Sequence, residues 1–205
     1  MGLFSMKKTF ITIVACLMAI FAITLTACSN VEKPDKDEEI KHAVSVAVEF
    51  LNTVKDSGNY SSISEYSDGR GVYKYYTEDG KIKVEYNEVY YGVKIGNNLY
   101  KISQADDMTW HKTTDTADLS DPAARTDNLI NNINNTSKWF LWTDYDSQTK
   151  TLTATYSDGS ATLKLDGGVF IITYITNNGT TKHTIKDVGN TTVTLPDNII
   201  DDTQE

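Results

Sequence analysis

Cysteine is scarce in this chain of 205 residues, which contains only Cys16 and Cys28. Metal sites built from several cysteines are therefore excluded. Aromatic residues show the opposite bias, since the chain has twelve tyrosines. Tyrosine and the many threonines favour strands over helices, so a sheet-rich domain is expected.

Basic residues are also in the minority, with 19 Lys and Arg against 28 Asp and Glu. Residues 1–27 contain Lys7 and Lys8 and no acid, which leaves 17 basic against 28 acidic residues from residue 28 onward, a net charge of −11. An acidic surface argues against binding to nucleic acid and against electrostatic adhesion to anionic lipid. Membrane attachment therefore has to come from something other than a basic patch.

Residues 1–27 have the pattern of a secretory signal peptide. Lys7 and Lys8 precede the uncharged apolar run TFITIVACLMAIFAITLTA. A basic segment, an apolar segment and small residues before a cut are typical of such a signal. Either Met1 or Met6 can be the start. An uncleaved transmembrane anchor is the alternative, because the run approaches the roughly 20 residues that span a bilayer.

The end of this run, Leu25-Thr26-Ala27-Cys28, resembles the lipobox of bacterial lipoproteins. The resemblance implies cleavage before Cys28 and acylation of its thiol with diacylglyceryl and palmitate-type chains. The protein would then be held on the extracytoplasmic face of the cell membrane, as part of the cell envelope. Two or more acyl chains give stable anchoring, at about 0.8 kcal/mol per buried methylene. The mature chain keeps one cysteine, so an intramolecular disulfide is excluded.

Behind the anchor, composition predicts a polar tether over residues 28–37, a single domain over 38–198 and a tail at 199–205. The domain opens with a helix that ends at Gly58. Its apolar residues recur at helical spacing and form one stripe. The stripe consists of Ile40, Ala43, Val44, Ala47, Val48, Leu51 and Val54.

From residue 60 the hydrophobic period changes to two, which predicts strands. Turn signals such as Asp79-Gly80 and Asn178-Gly179 predict an antiparallel meander with short loops. A short helix with Asp121 as its N-cap interrupts the meander, and the last strand, TTVTLP, ends at Pro196. The predicted class is α+β. One long helix covers only part of so wide a sheet, so the sheet either curls around it or leaves a cavity.

This layout resembles the LolA- and LolB-like lipoprotein carriers and the LppX- and LprG-like lipoproteins. The similar features are the lipobox, the amphipathic helix, the strands GVYKYYT, IKVEYN and VYYGVKI, the insertion LSDPAARTDNLINNI and the final VTLPD. The resemblance implies a curled, mostly antiparallel sheet, an open half-barrel, wrapped around the long helix and the short inserted helix. It also implies a cavity for acyl chains or another apolar ligand.

No catalytic set is visible in the sequence. His42, His111 and His183 lack a second histidine or a carboxylate at metal-ligand spacing and are predicted to lie at the surface. No nucleophile motif stands in a strand–turn–helix context, and the acidic pairs lack the spacing of a calcium loop. We therefore predict neither an enzyme nor a bound metal or cofactor.

The segment KWFLWTDY is the most apolar part of the second meander. Trp139, Phe140, Leu141 and Trp142 follow one another without a polar break. This pattern fits a central strand buried on both sides. It equally fits a strand with one face lining a ligand cavity, which Trp110 would join.

Two functional hypotheses follow. The first is a lipid-anchored protein that holds a lipid or other apolar ligand between the long helix and the sheet. The candidate lining residues are Val44, Val48, Leu51, Ile82, Val84, Tyr86, Val93, Phe140 and Trp142. The second is a ligand-free module that presents a β-surface to another envelope protein or to the cell wall.

Overall fold

The computed structural model describes residues 35–116, 119–134 and 141–204. Phe140, Trp139, Cys28 and the predicted signal peptide lie outside these residues. The described part is an α+β structure in which two helices accompany one open, mostly antiparallel sheet of twelve strands, as predicted.

The helices are α1 (Lys36–Ser57) and α2 (Pro122–Asn134). The strands are β1 (Tyr60–Tyr66), β2 (Gly71–Glu78), β3 (Lys81–Glu85), β4 (Val89–Ile95), β5 (Asn98–Gln104), β6 (Trp110–Thr113), β7 (Trp142–Asp146), β8 (Thr151–Tyr156), β9 (Gly159–Asp166), β10 (Val169–Thr176), β11 (Gly179–Lys186) and β12 (Ile199–Asp201). A short 3-10 helix, Asp202–Gln204, follows β12.

The sheet consists of two antiparallel meanders, β1–β6 and β7–β11. They are joined where β1 pairs antiparallel with β11, so the strand order is β12-β6-β5-β4-β3-β2-β1-β11-β10-β9-β8-β7. The last strand, β12, lies parallel to β6. The sheet does not close, and β12 and β7 are its edges.

Helix α1 begins at Lys36, two residues before the predicted domain boundary, so Lys36 and Asp37 belong to the helix and not to the tether. Acidic side chains in its first turn suit the helix dipole. Gly58 terminates it with a φ of +56°, and the Gly58 N–H donates to the carbonyl of Val54 at 3.2 Å. Glycine adopts this left-handed backbone without a steric cost.

Helix α2 has the predicted N-cap. An oxygen of the Asp121 carboxylate accepts hydrogen bonds from the backbone N–H groups of Ala123 at 2.9 Å and Ala124 at 3.4 Å. Pro122 occupies the first helical position, where its missing N–H costs nothing. Ile133, near the end of the helix, is fully buried.

Both helices pack on one face of the sheet, here called the helix-side face. Helix α1 contributes Ala47, Leu51 and Val54, and the ring of Phe50 stacks on that of Phe170 with 6.1 Å between centroids. Helix α2 is held at both ends by aromatic side chains of the sheet. The Tyr60 hydroxyl donates to the Pro122 carbonyl at 3.2 Å, and Trp142 Nε1 donates to the Ile133 carbonyl at 3.3 Å.

The C-terminal segment differs from its prediction. TTVTLP is not a strand, because its backbone N–H groups bond to side chains: Thr191 donates to Asn59 Oδ1 at 2.8 Å and Val193 to Glu78 Oε2 at 2.9 Å. The prediction of a tail at 199–205 was also wrong, since this stretch contains β12 and the 3-10 helix.

The strand in KWFLWTDY also differs. Within the described residues it begins at Trp142 and forms the edge strand β7. Trp142 is buried, whereas Leu141 and Thr143 are exposed, so the reading as a central strand buried on both sides was wrong. Trp110 is the first residue of β6.

We predict that Leu51→Ala lowers the free energy of unfolding by about 2–5 kcal/mol, because it leaves a cavity under α1. Leu51 is 0 % exposed, whereas the control residue Ile95 is 53 % exposed on the other face. Ile95→Ala should change the free energy by less than about 0.5 kcal/mol. Urea unfolding measures both, and equal effects would contradict this assignment of the core.

Candidate functional site

Most of the predicted lining residues that the structure describes belong to the packed core. Leu51, Ile82 and Val84 are fully buried and Trp142 is 5 % exposed, all in the main core. Val44, Val48 and Tyr86 are half-buried and pack against that core. Phe140 lies outside the described residues.

Val93 does not lie with the other candidate lining residues. It pairs with Lys81, whereas Ile82 pairs with Gly92. Since successive side chains of a strand point to opposite faces, Val93 lies on the face opposite to Ile82 and Val84. On the helix-side face its strand presents Gly92, and a Cβ built there would lie 3.1 Å from a methyl carbon of Leu119.

The helix-side face carries a further set of side chains that the helices leave half-buried. We call Tyr66, Tyr73, Tyr86, Tyr156 and Tyr174 the tyrosine row. Tyr73 and Tyr86 lie 5.9 Å apart between ring centroids. The row runs from the end of β3 to β8, across seven neighbouring strands, a width of roughly 25–30 Å.

His183 lies in the middle of the tyrosine row. Its ring meets Tyr174 edge-on at 5.7 Å and Tyr66 at 6.4 Å between centroids. Its Nδ1 lies 2.7 Å from the hydroxyl oxygen of Ser64, the residue opposite it on β1. The prediction that His183 is a surface residue was wrong, because its strand parity places it with the buried Ile185.

His183 and Tyr174 are both uncharged near neutral pH. Burial and, to a smaller extent, the nearby Arg125 guanidinium lower the pKa of His183 to about 4. Burial and, to a smaller extent, the neighbouring Tyr156 raise the pKa of Tyr174 to about 12. The imidazole and the Tyr174 phenol are therefore neutral hydrogen-bonding groups.

The Ser64–His183 pair does not have the arrangement of a nucleophile and its base. Ser64 is 1 % exposed, so its hydroxyl cannot approach a substrate carbonyl. Among the described residues, no carboxylate forms a hydrogen bond or ion pair with the imidazole, so the third member of a triad is missing there. The pair satisfies a buried hydroxyl and fixes the ring of His183.

Arg125 is the charged residue of this region. It projects from the first turns of α2, and its guanidinium carbon lies 5.2 Å from the ring centroid of Tyr73 and 4.7 Å from that of Tyr75. A guanidinium over aromatic rings is a cation–π arrangement. The two aromatic anchors of α2, at Pro122 and Ile133, hold the helix that carries Arg125.

A shallow open depression on the opposite face is a competing location. Its lining residues are Val72, Lys74, Glu85, Tyr86, Asn87, Glu88 and Val89. Its carboxylate and ammonium groups already pair, since Glu85 lies 2.7 Å from Lys83 and 3.1 Å from Lys74. The depression therefore offers paired charges to a ligand, unlike the region around Arg125.

The part of the chain that the structure describes contains neither a metal-binding group of side chains nor a membrane-spanning helix. No group of three His, Cys, Asp or Glu side chains in residues 35–116, 119–134 and 141–204 could hold a metal ion. In the same residues, neither helix combines the length and the apolar character that crossing a bilayer requires.

Comparison with known proteins finds no family model that matches the chain and no curated protein that matches it.

Sequence reasoning found Tyr86 but missed Tyr66, Tyr73, Tyr156, Tyr174 and Arg125. One local signal was available: Tyr73 and Tyr75 alternate in GVYKYYT, as Ile172 and Tyr174 do in VFIITYIT. That alternation shows which tyrosines of one strand share a face. It does not show that strands so far apart in sequence meet.

The low pKa of His183 predicts a pH dependence of stability. Below about pH 6.5 the imidazole of His183 binds a proton in the unfolded chain, whereas in the folded chain it does so only near pH 4. The free energy of unfolding therefore falls as the pH drops through this window. Between pH 7 and pH 4.5 the wild type should lose about 2–3 kcal/mol more than His183→Gln.

Urea unfolding at the two pH values measures the difference. His42→Gln is the control, because His42 is exposed on α1, and this variant should follow the wild type. Parallel profiles for the wild type and His183→Gln would contradict the assignment.

Proposed function

We propose that the protein is a bacterial lipoprotein, anchored through acylated Cys28 on the extracytoplasmic face of the cell membrane, that binds a lipid-like amphiphile along the tyrosine row. The observation that carries the proposal is the row itself, a stripe of half-buried rings beside the two helices. The lipobox-like junction supports the anchor.

The tyrosine row suits an amphiphile for a physical reason. Phenol rings offer apolar area to methylene groups, and their hydroxyls keep a polar partner at the water side. Each methylene removed from water contributes about 0.8 kcal/mol. The row is about as long as the hydrocarbon core of a bilayer is thick, roughly 30 Å, and so exceeds the length of one acyl chain.

The proposal moves the ligand from the place that the sequence suggested. The space between α1 and the sheet is filled by Leu51, Val54 and the stacked pair Phe50 and Phe170. The ligand would lie next to that core, on the part of the helix-side face that α1 and α2 leave accessible. We also propose that the sheet curls as an open half-barrel around both helices.

The tether keeps the domain close to lipid. Seven residues lie between Cys28 and the start of α1 at Lys36, and the eight Cα–Cα steps from Cys28 to Lys36 span at most about 28 Å. A domain held at this distance can exchange an amphiphile with the surface of the membrane that anchors it.

A second candidate function, docking to another envelope protein, is favoured by the opposite face. Val89 and Ile95 of β4 are exposed there, and the neighbouring Tyr91 and Trp110 rings meet at 5.4 Å between centroids. Exposed apolar side chains in such a group are typical of protein-binding surfaces. This surface could operate together with the tyrosine row.

The anchor gives the first test of this function. Cys28→Ala removes the thiol that takes the lipid, so the protein should no longer incorporate labelled palmitate when expressed in a bacterial host. The wild type should incorporate it and shift in mass by the acyl chains. Equal labelling of both proteins would overturn the assignment of Cys28.

The tyrosine row gives the second test. Tyr66→Ala and Tyr174→Ala should each weaken binding of a fluorescent fatty-acid probe about two- to tenfold, from the loss of one aromatic contact. Tyr76→Ala is the control, because Tyr76 pairs with Lys83 and therefore lies on the opposite face. Lipid should also be extractable from protein purified from its native membrane. If extraction yields no lipid and the probe does not bind, the proposed function fails.

A further inference from the structure

Nearly all cations of the described residues are already paired. Ion pairs with carboxylates are formed by Lys36, Lys41, Lys55, Arg70, Lys74, Lys81, Lys83, Lys94, Lys112, Lys164, Lys182 and Lys186. Arg125 forms no ion pair with any carboxylate of residues 35–116, 119–134 or 141–204. An arginine without a carboxylate partner is notable in a chain with a net charge of −9.

The two acidic residues next to Arg125 in sequence are already paired: Asp127 on the same helix forms an ion pair with Lys55, and Asp121 is the N-cap. Asp121 already accepts from the N–H groups of Ala123 and Ala124 and forms an ion pair with Lys94. The carboxylate is therefore committed to capping α2. Only the backbone N–H of Arg125 interacts with Asp121, by donating to its carbonyl at 3.0 Å.

The guanidinium of Arg125 is nevertheless held in place and open to a ligand. It lies over the rings of Tyr73 and Tyr75, which restrict its orientation. Within the described residues no buried side-chain nitrogen lacks a hydrogen-bond partner, so the unused N–H donors of Arg125 are accessible to solvent. A planar fork with fixed orientation binds a carboxylate or phosphate through two parallel hydrogen bonds.

We infer that Arg125 binds the anionic end of the amphiphile, a carboxylate or a phosphate group attached to an acyl chain. Tyr73 belongs both to the Arg125 platform and to the tyrosine row. An anion paired with Arg125 therefore places its chain at the row, where it can run towards Tyr66 and Tyr174. This inference rests on the proposed function and adds the chemistry of the head group.

The test compares four probes on the full chain in phosphatidylcholine nanodiscs, with empty nanodiscs as the blank. The probes are decyl phosphate, decanoate, decanol and inorganic phosphate, titrated by calorimetry. The wild type should bind decyl phosphate and decanoate at least tenfold more tightly than decanol, the increment expected for a charge-assisted bidentate contact.

Three variants assign the effect to the side chain. Arg125→Gln should lose the preference for the anionic probes and keep the affinity for decanol. Lys164→Gln removes the same charge on the opposite face, where Lys164 pairs with Ile171, and should behave as the wild type. Arg125→Lys keeps the charge without the fork and should bind decyl phosphate several-fold more weakly than the wild type.

The outcomes separate the two proposals. If no decyl probe binds, the proposed function fails, and the inference with it. If decanol binds as tightly as decyl phosphate, or Arg125→Gln keeps the preference, only the inference fails. If inorganic phosphate binds as tightly as decyl phosphate, the site takes a free anion and the assignment to an amphiphile is overturned. If Arg125→Gln does not fold, Arg125→Lys decides, and an unchanged affinity for decyl phosphate overturns the inference.

Discussion

The pairing of β1 with β11 is the contact on which the rest of the structure depends. Ser61 to Tyr66 align with Lys186 to Thr181, and this one ladder converts two separate meanders into one twelve-stranded sheet. It brings Ser64 opposite His183 and makes the tyrosine row continuous. Without it, Tyr66 and Tyr73 would belong to one small sheet and Tyr156 and Tyr174 to another.

The two helices cover only part of the helix-side face of this wide sheet. Apolar area in contact with water is unfavourable, and α1 and α2 remove the central part of one face from water through side chains such as Leu51 and Ile133. The helix-side face extends beyond them, and there the residue type changes from aliphatic to tyrosine. Tyrosine tolerates partial exposure better than leucine does, which allows the same face to be core in one place and accessible surface in another.

The local elements could be predicted from the sequence because their causes are local. The stripe along α1, the Asp121 cap, Gly58 and the hairpin turns each depend on residues a few positions apart, and the structure confirms them. The pairing of β1 with β11 and the parallel placement of β12 depend on strands far apart in sequence. No short pattern encodes such partners, so the sequence predicts a tail where the structure has β12.

The candidate site was harder to predict for the same reason. Alternation shows which side chains of one strand share a face, but it does not show which side chains of the next strand lie on that same face. Val93 and Ile82, for example, lie on opposite faces of the sheet. His183 looked like a surface residue because its neighbours are Thr and Lys, whereas its environment comes from Ser64, Tyr66 and Tyr174 on other strands. Arg125 stands out only when its position over Tyr73 and Tyr75 and its lack of a carboxylate partner among the described residues are known.

The separation of β1 and β11 along the chain has a consequence for the export proposed above. A chain that crosses the membrane N-terminus first delivers β1 to the outside more than one hundred residues before its partner β11 arrives. During that interval one edge of the first meander offers unpaired backbone groups, which are prone to pairing with other chains. In the proposed export, β1 gains its partner only after residues 179–186 have crossed, so the two meanders join late in translocation.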